Sequence, residues 1–356
     1  MENGRHAMEK ATRRGFFVRA AVSAAAAHLG STAAGAAAES TKPGPTARHT
    51  FGLLKQGKKI PVIFDTDIGN DIDDTWALTF LIKSPEFDVK LVVSDSGNDI
   101  YRARILAKML QVCGRTDVPV GVGLGKDDKP GRQSAWVGRY RLDDYPGTVY
   151  EDGIEAMIRT IHGCQDPVTV IAVGPVPNIA TALKKDPSIA RRARFVGMHG
   201  SVRRGYGNSP KISAEYNVQA NPTALQTVFA APWDLTITPL DTCGIIHLTG
   251  RKYQKVARCP DPAVRALIAN YLVWRQAMKP GKRLAPPDRS STLFDTVAIY
   301  LGFSQALVEM EDVPLRVTDD GYTVIDKQAR IVHCAMRWKD LGAFEDLLVQ
   351  RLTGAV

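Results

Sequence analysis

The chain has 356 residues, 44% of them hydrophobic, and a formal net charge of +9, enough to bury a large core in one α/β domain or two smaller ones. Lys and Arg are scattered, with only short doublets such as Lys184-Lys185 and Arg203-Arg204, which argues against a nucleic-acid partner. Five widely spaced cysteines without a CxxC pair match neither a zinc site nor a disulfide framework.

Residues 1–38 read as an address. Thr12-Arg13-Arg14-Gly15-Phe16-Phe17 precedes an alanine-rich stretch, and Ala36-Ala37-Ala38 offers a small-residue cleavage site. The pattern resembles a bacterial twin-arginine signal peptide and implies a periplasmic or secreted mature protein. Arg19 and His28 interrupt the apolar run, so no stable membrane association is expected after cleavage. Residues 39–58, rich in Pro, Gly, Ser, Thr and basic side chains, predict a flexible linker, followed by one domain over 59–356.

The first buried-strand signal, Ile60 to Phe64, runs directly into a segment holding five carboxylates: Asp65, Asp67, Asp71, Asp73 and Asp74. Two carboxylates roughly 4 Å apart repel by about 4 kcal/mol at an effective dielectric near 20, so the cluster points to a hard divalent cation with oxygen ligands. An EF-hand starting at Asp65 would require Glu at its twelfth position, where the chain has Trp76. Residues 74–82 predict a helix with Asp73 or Asp74 at its N-terminus, where the helix dipole favours negative charge.

Strand-like runs follow at 89–93, 118–122, 168–173, 195–198, 235–239 and 313–317, alternating with helical patterns at 102–112, 151–162 and 179–183. This alternation predicts an α/β fold with an open, mostly parallel sheet and helices on both faces. Ligands in such sheets bind beyond the carboxyl ends of the strands, so the polar clusters at 65–74, 95–98, 174–178 and 198–201 should converge on one rim. Residues 125–150 form a polar, Gly-rich loop of a length that marks function or disorder. Residues 263–277 and the Pro-rich break at 279–287 predict a partly helical cap over the rim.

The acidic loop, Gly174-Pro175-Val176-Pro177-Asn178, Ala214-Glu215-Tyr216-Asn217, Asn221-Pro222 and Leu293-Phe294-Asp295, in that order, resemble the inosine-uridine preferring nucleoside hydrolases over about residues 60–350. The resemblance implies a calcium-dependent enzyme that splits the N-glycosidic bond of a nucleoside or related N-riboside, its small-molecule partner, into ribose and free base. It further implies Asp67 as the general base, and Asp67, Asp74, the Val173 carbonyl and Asp295 as ligands of Ca2+. Asp73, Asn98, Met198, Asn208, Glu215 and Asn217 correspond to ribose contacts. Some relatives stack the base between aromatic rings, a role for which Trp136 in the long loop and Tyr271 or Trp274 on the cap helix are candidates. Family members are often homodimers or homotetramers, and the resemblance extends that expectation to this chain.

These residue types suit the chemistry. N-glycosidic cleavage passes through an oxocarbenium-like centre that nearby carboxylates favour. Side-chain amides both donate to and accept from hydroxyls, as a polyol requires. Two departures stand out: Asp71 and Ile72 lengthen the usual DTDxGxDD loop by two residues, leaving Asp71 as a rival to Asp73 and Asp74. Phe294 stands where the family commonly has a histidine that protonates the leaving base. His199 is the other conspicuous histidine, as a pocket residue or a packed one. The alternatives are a catalytically weak or silent nucleoside- or sugar-binding protein on the same fold, and a phosphotransferase with an aspartyl nucleophile. The latter leaves Asp295, Glu215 and Asn217 unexplained.

Overall fold

Successive side chains of a strand point to opposite faces, and the apolar residues of the first strand divide accordingly. Ile60, Val62 and Phe64 enter one apolar cluster and Ile63 the other, so the strand is covered on both sides. The computed structural model describes residues 44–354; the expected export signal lies outside them.

In chain order the strands are β1 (Ile60–Thr66), β2 (Phe87–Ser94), β3 (Val120–Gly121), β4 (Val149–Tyr150), β5 (Val168–Ala172), β6 (Ala193–Met198), β7 (Leu235–Thr238), β8 (Val308–Val317), β9 (Thr323–Ile325) and β10 (Ile331–Trp338). They form one ten-stranded sheet in the order β4-β3-β2-β1-β5-β6-β7-β10-β8-β9. Pairing is parallel from β4 through to β10, and antiparallel for β10–β8 and β8–β9. The expected open, mostly parallel α/β fold is what the chain adopts.

One face carries the helices Asp73–Ile82, Asp99–Val112, Pro262–Met278, Thr296–Phe303 and Leu341–Thr353. The other carries Gly153–Gly163, Pro177–Lys185 and Pro222–Ala230. The chain leaves β1 toward β2, β3 and β4, then returns to β5 on the opposite side of β1. That reversal opens a crevice at the carboxyl ends of β1 and β5, where ligands bind in such sheets. Register brings the ends together: Thr66 lies opposite Ser94, Asp65 opposite Ala172, and Ala172 opposite Gly197.

The linker expected over 39–58 needs correction in its described part, which contains the helix Ala47–Lys55. Thr50 and Leu53 are buried, and the Arg194 guanidinium lies 5.1 Å from the Phe51 ring centre. The Thr46 N–H donates to His49 Nδ1 at 3.1 Å, which helps to start the helix. The apolar residues Phe51, Leu53 and Leu54 stand among Pro, Gly and basic side chains, so average composition over the stretch concealed a short amphipathic helix. The fold therefore begins before residue 59. The helix Pro262–Met278 packs against Asp73–Ile82 and Asp99–Val112 and reaches the rim at Trp274, whose indole N–H donates to the Asn70 carbonyl at 3.0 Å. Among the described residues, no helix is long and apolar enough to cross a membrane.

Candidate active site

β1 ends at Thr66, and the acidic loop turns directly into the helix Asp73–Ile82. The Thr66 hydroxyl accepts from the Ile68 N–H at 3.2 Å and donates to the Asp74 carboxylate. Gly69 has φ 116°, and a Cβ there would lie 2.7 Å from the side chains of Tyr101 and Ile105, so this turn requires glycine. The loop carbonyls are held from outside. Tyr101 OH donates to Gly69 O at 2.9 Å, Gln133 Nε2 to Asp71 O at 2.6 Å, and an Arg102 nitrogen to Ile68 O at 3.1 Å. The same Arg102 nitrogen lies 3.5 Å from the Asp67 carboxylate.

Around this loop is a cavity of about 320 Å³. Its lining includes Asp67, Asp73, Asp74, Val173, Met198, Glu215, Asn217 and Asp295, all of them expected from the sequence to serve the site. Each enters from a different place: Val173 follows β5, Met198 ends β6, Glu215 precedes the short helix Tyr216–Ala220, and Asp295 precedes Thr296–Phe303. Gly174 allows this convergence, because a Cβ there would lie 2.7 Å from Asp95 Oδ2 and 3.0 Å from Asp67 N.

The carboxylates of Asp73, Asp74 and Asp295 each present an oxygen within 4.8 Å of the other two, and all three residues are buried. Burial, reinforced by repulsion from neighbouring carboxylates, Asp67 among them, holds each of these carboxyls well above its ordinary range. Asp67 is raised mainly by burial, against the pull of Arg102. Among the described residues Asp67 has its ion pair with Arg102, whereas Asp73, Asp74 and Asp295 have none. Buried, hard oxygen donors that lack an internal counter-charge suit a divalent cation, and the trio could hold one.

Glu215 is anchored by three backbone N–H groups, from Gly200 at 3.0 Å, Asn217 at 2.8 Å and Val218 at 3.3 Å. Burial nonetheless pushes its carboxyl up to about 7. Asn217 donates through Nδ2 to the carbonyls of Val173 and Met198, both at 3.1 Å, which ties the ends of β5 and β6 together. Behind the cavity, Asp65 accepts from Asn178 at 2.8 Å and Asp95 accepts from the Val176 N–H at 3.0 Å. Burial raises Asp65 to about 7 and Asp95 well above its ordinary value, so this inner pair favours retaining a proton.

Four of the residues expected at the site lie outside the cavity lining. Asn98 accepts from the Tyr101 N–H at 2.9 Å as the cap of Asp99–Val112, and faces a neighbouring cleft that shares Asn70 and Tyr216 with the cavity. Asn208 is exposed in the turn Tyr206–Asn208, from which Tyr206 lines the cavity instead. Trp136 packs beside the core with Lys108 Nζ 4.5 Å from its ring centre, and Trp274 stacks on Tyr271 at 5.9 Å. His199 is also outside the lining: it is buried, its Nε2 lies 2.9 Å from the Gly174 carbonyl, and burial lowers its pKa to about 4. Asn70, Arg132, Tyr206 and Tyr216 line the cavity without having been expected there, while Phe294 meets Tyr206 edge to face at 6.0 Å. Asn70, inside the acidic loop, and Tyr216, inside the Glu215–Asn217 motif, had a local signal that could have pointed to them.

The inosine-uridine preferring nucleoside hydrolase family model matches residues 62–344. The pyrimidine-specific ribonucleoside hydrolase RihA of Citrobacter koseri is 32% identical over 265 residues, covering 68% of this chain and 83% of the relative. RihA from an Escherichia coli O7:K1 strain is 30% identical over 315 residues, covering 82% and 98% respectively. Among solved structures, a plant nucleoside hydrolase superposes with TM-score 0.68 at 21% identity, covering 83% of this chain and 99% of that one. A purine-preferring ribonucleoside hydrolase from Gardnerella vaginalis gives 0.66 at 20% identity, covering 83% and 98%. With the acidic crevice, the fold and these matches in agreement, the chain belongs to the inosine-uridine preferring nucleoside hydrolase family and is a hydrolase of nucleoside N-glycosidic bonds.

Proposed function

We propose that the cavity binds Ca2+ together with a nucleoside or related N-riboside, with Asp67 as general base. The carrying observation is the buried trio Asp73, Asp74 and Asp295, close to Asp67 and to the end of β5, in a cavity that also offers the Val173 carbonyl. Asp67, Asp74, the Val173 carbonyl and Asp295 are the proposed metal ligands. The Val173 oxygen already accepts from Asn217 and retains a second lone pair for this purpose. Bound calcium supplies positive charge that gathers oxygen ligands and lowers the pKa of water.

In the proposed reaction Asp67 accepts a proton from water as the water oxygen bonds to the anomeric carbon. The carbon–nitrogen bond breaks with its electron pair leaving on the base, and the surrounding carboxylates favour the positive charge developing on the ribose. Arg102, fixed between Ile68 O and Asp67, orients the base carboxylate. Asp73, Met198, Glu215 and Asn217 are the proposed ribose contacts, and their anchoring to β5, β6 and the Gly200 N–H supports pre-organisation. In the same reading residues 1–38 are a twin-arginine export signal and the mature protein is a homo-oligomer. N-terminal sequencing of the exported protein and light scattering test these two points.

The functional test is ribose release from uridine, cytidine, inosine, adenosine and simple ribosides, with calcium supplied and then chelated. Release that requires calcium is the expected result. Release unaffected by chelation refutes the metal assignment. Riboside binding with no ribose released over hours favours the silent binding protein that Phe294, in place of an acid, also suits.

A further inference from the structure

Besides the proposed metal and ribose groups, the cavity lining contains Phe294, Tyr206, Tyr216 and Arg132. Phe294 has no proton to give, and His199 lies outside the lining with its Nε2 against the Gly174 carbonyl. Every other ionisable lining group besides the two tyrosines is an acid, so Arg132 is the cavity's one cationic side chain among the described residues. Its backbone is well placed. The next residue, Gln133, is fully buried and donates its N–H to Tyr101 OH at 3.0 Å and to Gly69 O at 3.3 Å. Its side chain accepts from Thr75 at 3.1 Å and Asn270 at 2.7 Å, and donates to Asp71 O. On the other side the Ser134 N–H donates to Gly131 O at 3.1 Å. Arg132 itself remains exposed at the mouth. Its charge lies near enough to Asp71 and Tyr216 to act on both.

We infer that Arg132 is the leaving-group residue of this enzyme: its guanidinium stabilises the departing nucleobase as an anion, in place of a neutral acid that protonates it. This rests on the proposed N-ribohydrolase reading. The carbon–nitrogen electron pair passes to the base, whose carbonyl oxygen or ring nitrogen accepts hydrogen bonds from Arg132. The base takes its proton from solvent after the bond has broken, while the proton of the attacking water goes to Asp67. A guanidinium is suited to this role because it remains charged and presents several N–H donors in one plane. It would favour bases with an oxygen or nitrogen acceptor conjugated to the glycosidic nitrogen, as in oxo-pyrimidines and oxo-purines.

The test compares Arg132→Ala and Arg132→Lys with the parent on uridine, inosine and 4-nitrophenyl β-D-ribofuranoside, whose nitrophenolate leaves without assistance. Removing one preorganised donor to a developing anion typically costs about 100- to 1,000-fold in kcat. That loss is expected for Arg132→Ala on uridine and inosine, against less than about threefold on the nitrophenyl riboside. Arg132→Lys should fall between the two, and added guanidinium ion should partly restore nucleoside cleavage by Arg132→Ala. Equal losses on both substrate types would show that Arg132 merely supports the acidic loop, and unchanged nucleoside turnover would remove it from the reaction; either overturns the inference. If the parent cleaves neither substrate type, the N-ribohydrolase reading fails first.

Discussion

Replacing Asp295 by Asn keeps its shape and removes one charge from a trio whose oxygens lie within 4.8 Å of one another. At an effective dielectric of about 20, each fully ionised pair at that distance repels by at least about 3.5 kcal/mol. Protons held by these raised carboxyls absorb much of this at neutral pH, leaving a relief of about 1–3 kcal/mol in the metal-free protein. Asp295→Asn is therefore expected to raise the melting temperature of the chelated protein by roughly 2–5 °C. Calcium affinity, which depends on the number of anionic ligands, should fall about 100-fold, or about 2.7 kcal/mol. The variant thus moves stability in opposite directions with and without metal. Scanning calorimetry with calcium or chelator measures the first effect, and isothermal titration calorimetry measures the second. A variant that binds calcium as tightly as the parent, or whose metal-free form melts lower, refutes the electrostatic reasoning.

Asp67→Asn should remain folded and bind calcium more weakly, while kcat falls at least about 100-fold; near-normal turnover by the calcium-loaded variant rejects Asp67 as the base. Glu215 sits at about 7 against an ordinary 4.5, so the folded protein holds this proton more tightly than the unfolded chain. Its contribution, about 3 kcal/mol, is complete below about pH 4.5 and is lost as pH rises through about 7. Chelated wild-type protein should lose stability across that window and Glu215→Gln should lose less; identical slopes in denaturant melts exclude the assignment. Gly69→Ala places a Cβ 2.7 Å from Tyr101 and Ile105 at φ 116°, and should cost about 2–4 kcal/mol in chemical denaturation and impair metal binding. Wild-type stability in that variant would mean the loop can relax around a side chain.

Much of the fold was legible because buried parallel strands are written locally, as short apolar runs ending in polar clusters. β10 was not seen. Its sequence, IVHCAMRW, mixes apolar and polar residues because it joins the parallel block to the antiparallel edge, with His333 and Arg337 partly or wholly exposed. The aromatic candidates exposed a different limit. A Trp beside a site and a Trp beneath it have the same local pattern, and only packing put Trp136 next to Lys108 while Tyr206 met Phe294. Asn98 carries both a helix-cap signal and a sugar-binding resemblance; in the structure its side chain accepts from Tyr101, as a cap does.

By itself the sequence determined the family, the α/β class and the supply of acidic oxygens. Each of these is set by contiguous motifs: strand-forming runs, the acidic loop, and short segments that keep a fixed order along the chain. Tertiary structure decided which of those oxygens meet. It brought Asp295 from the start of a distant helix beside Asp73 and Asp74, put Arg102 against Asp67, and left Arg132 at the mouth. The physical reason is that charge interaction depends on distance and burial, and both are set here by where the sheet reverses its strand order rather than by spacing along the chain.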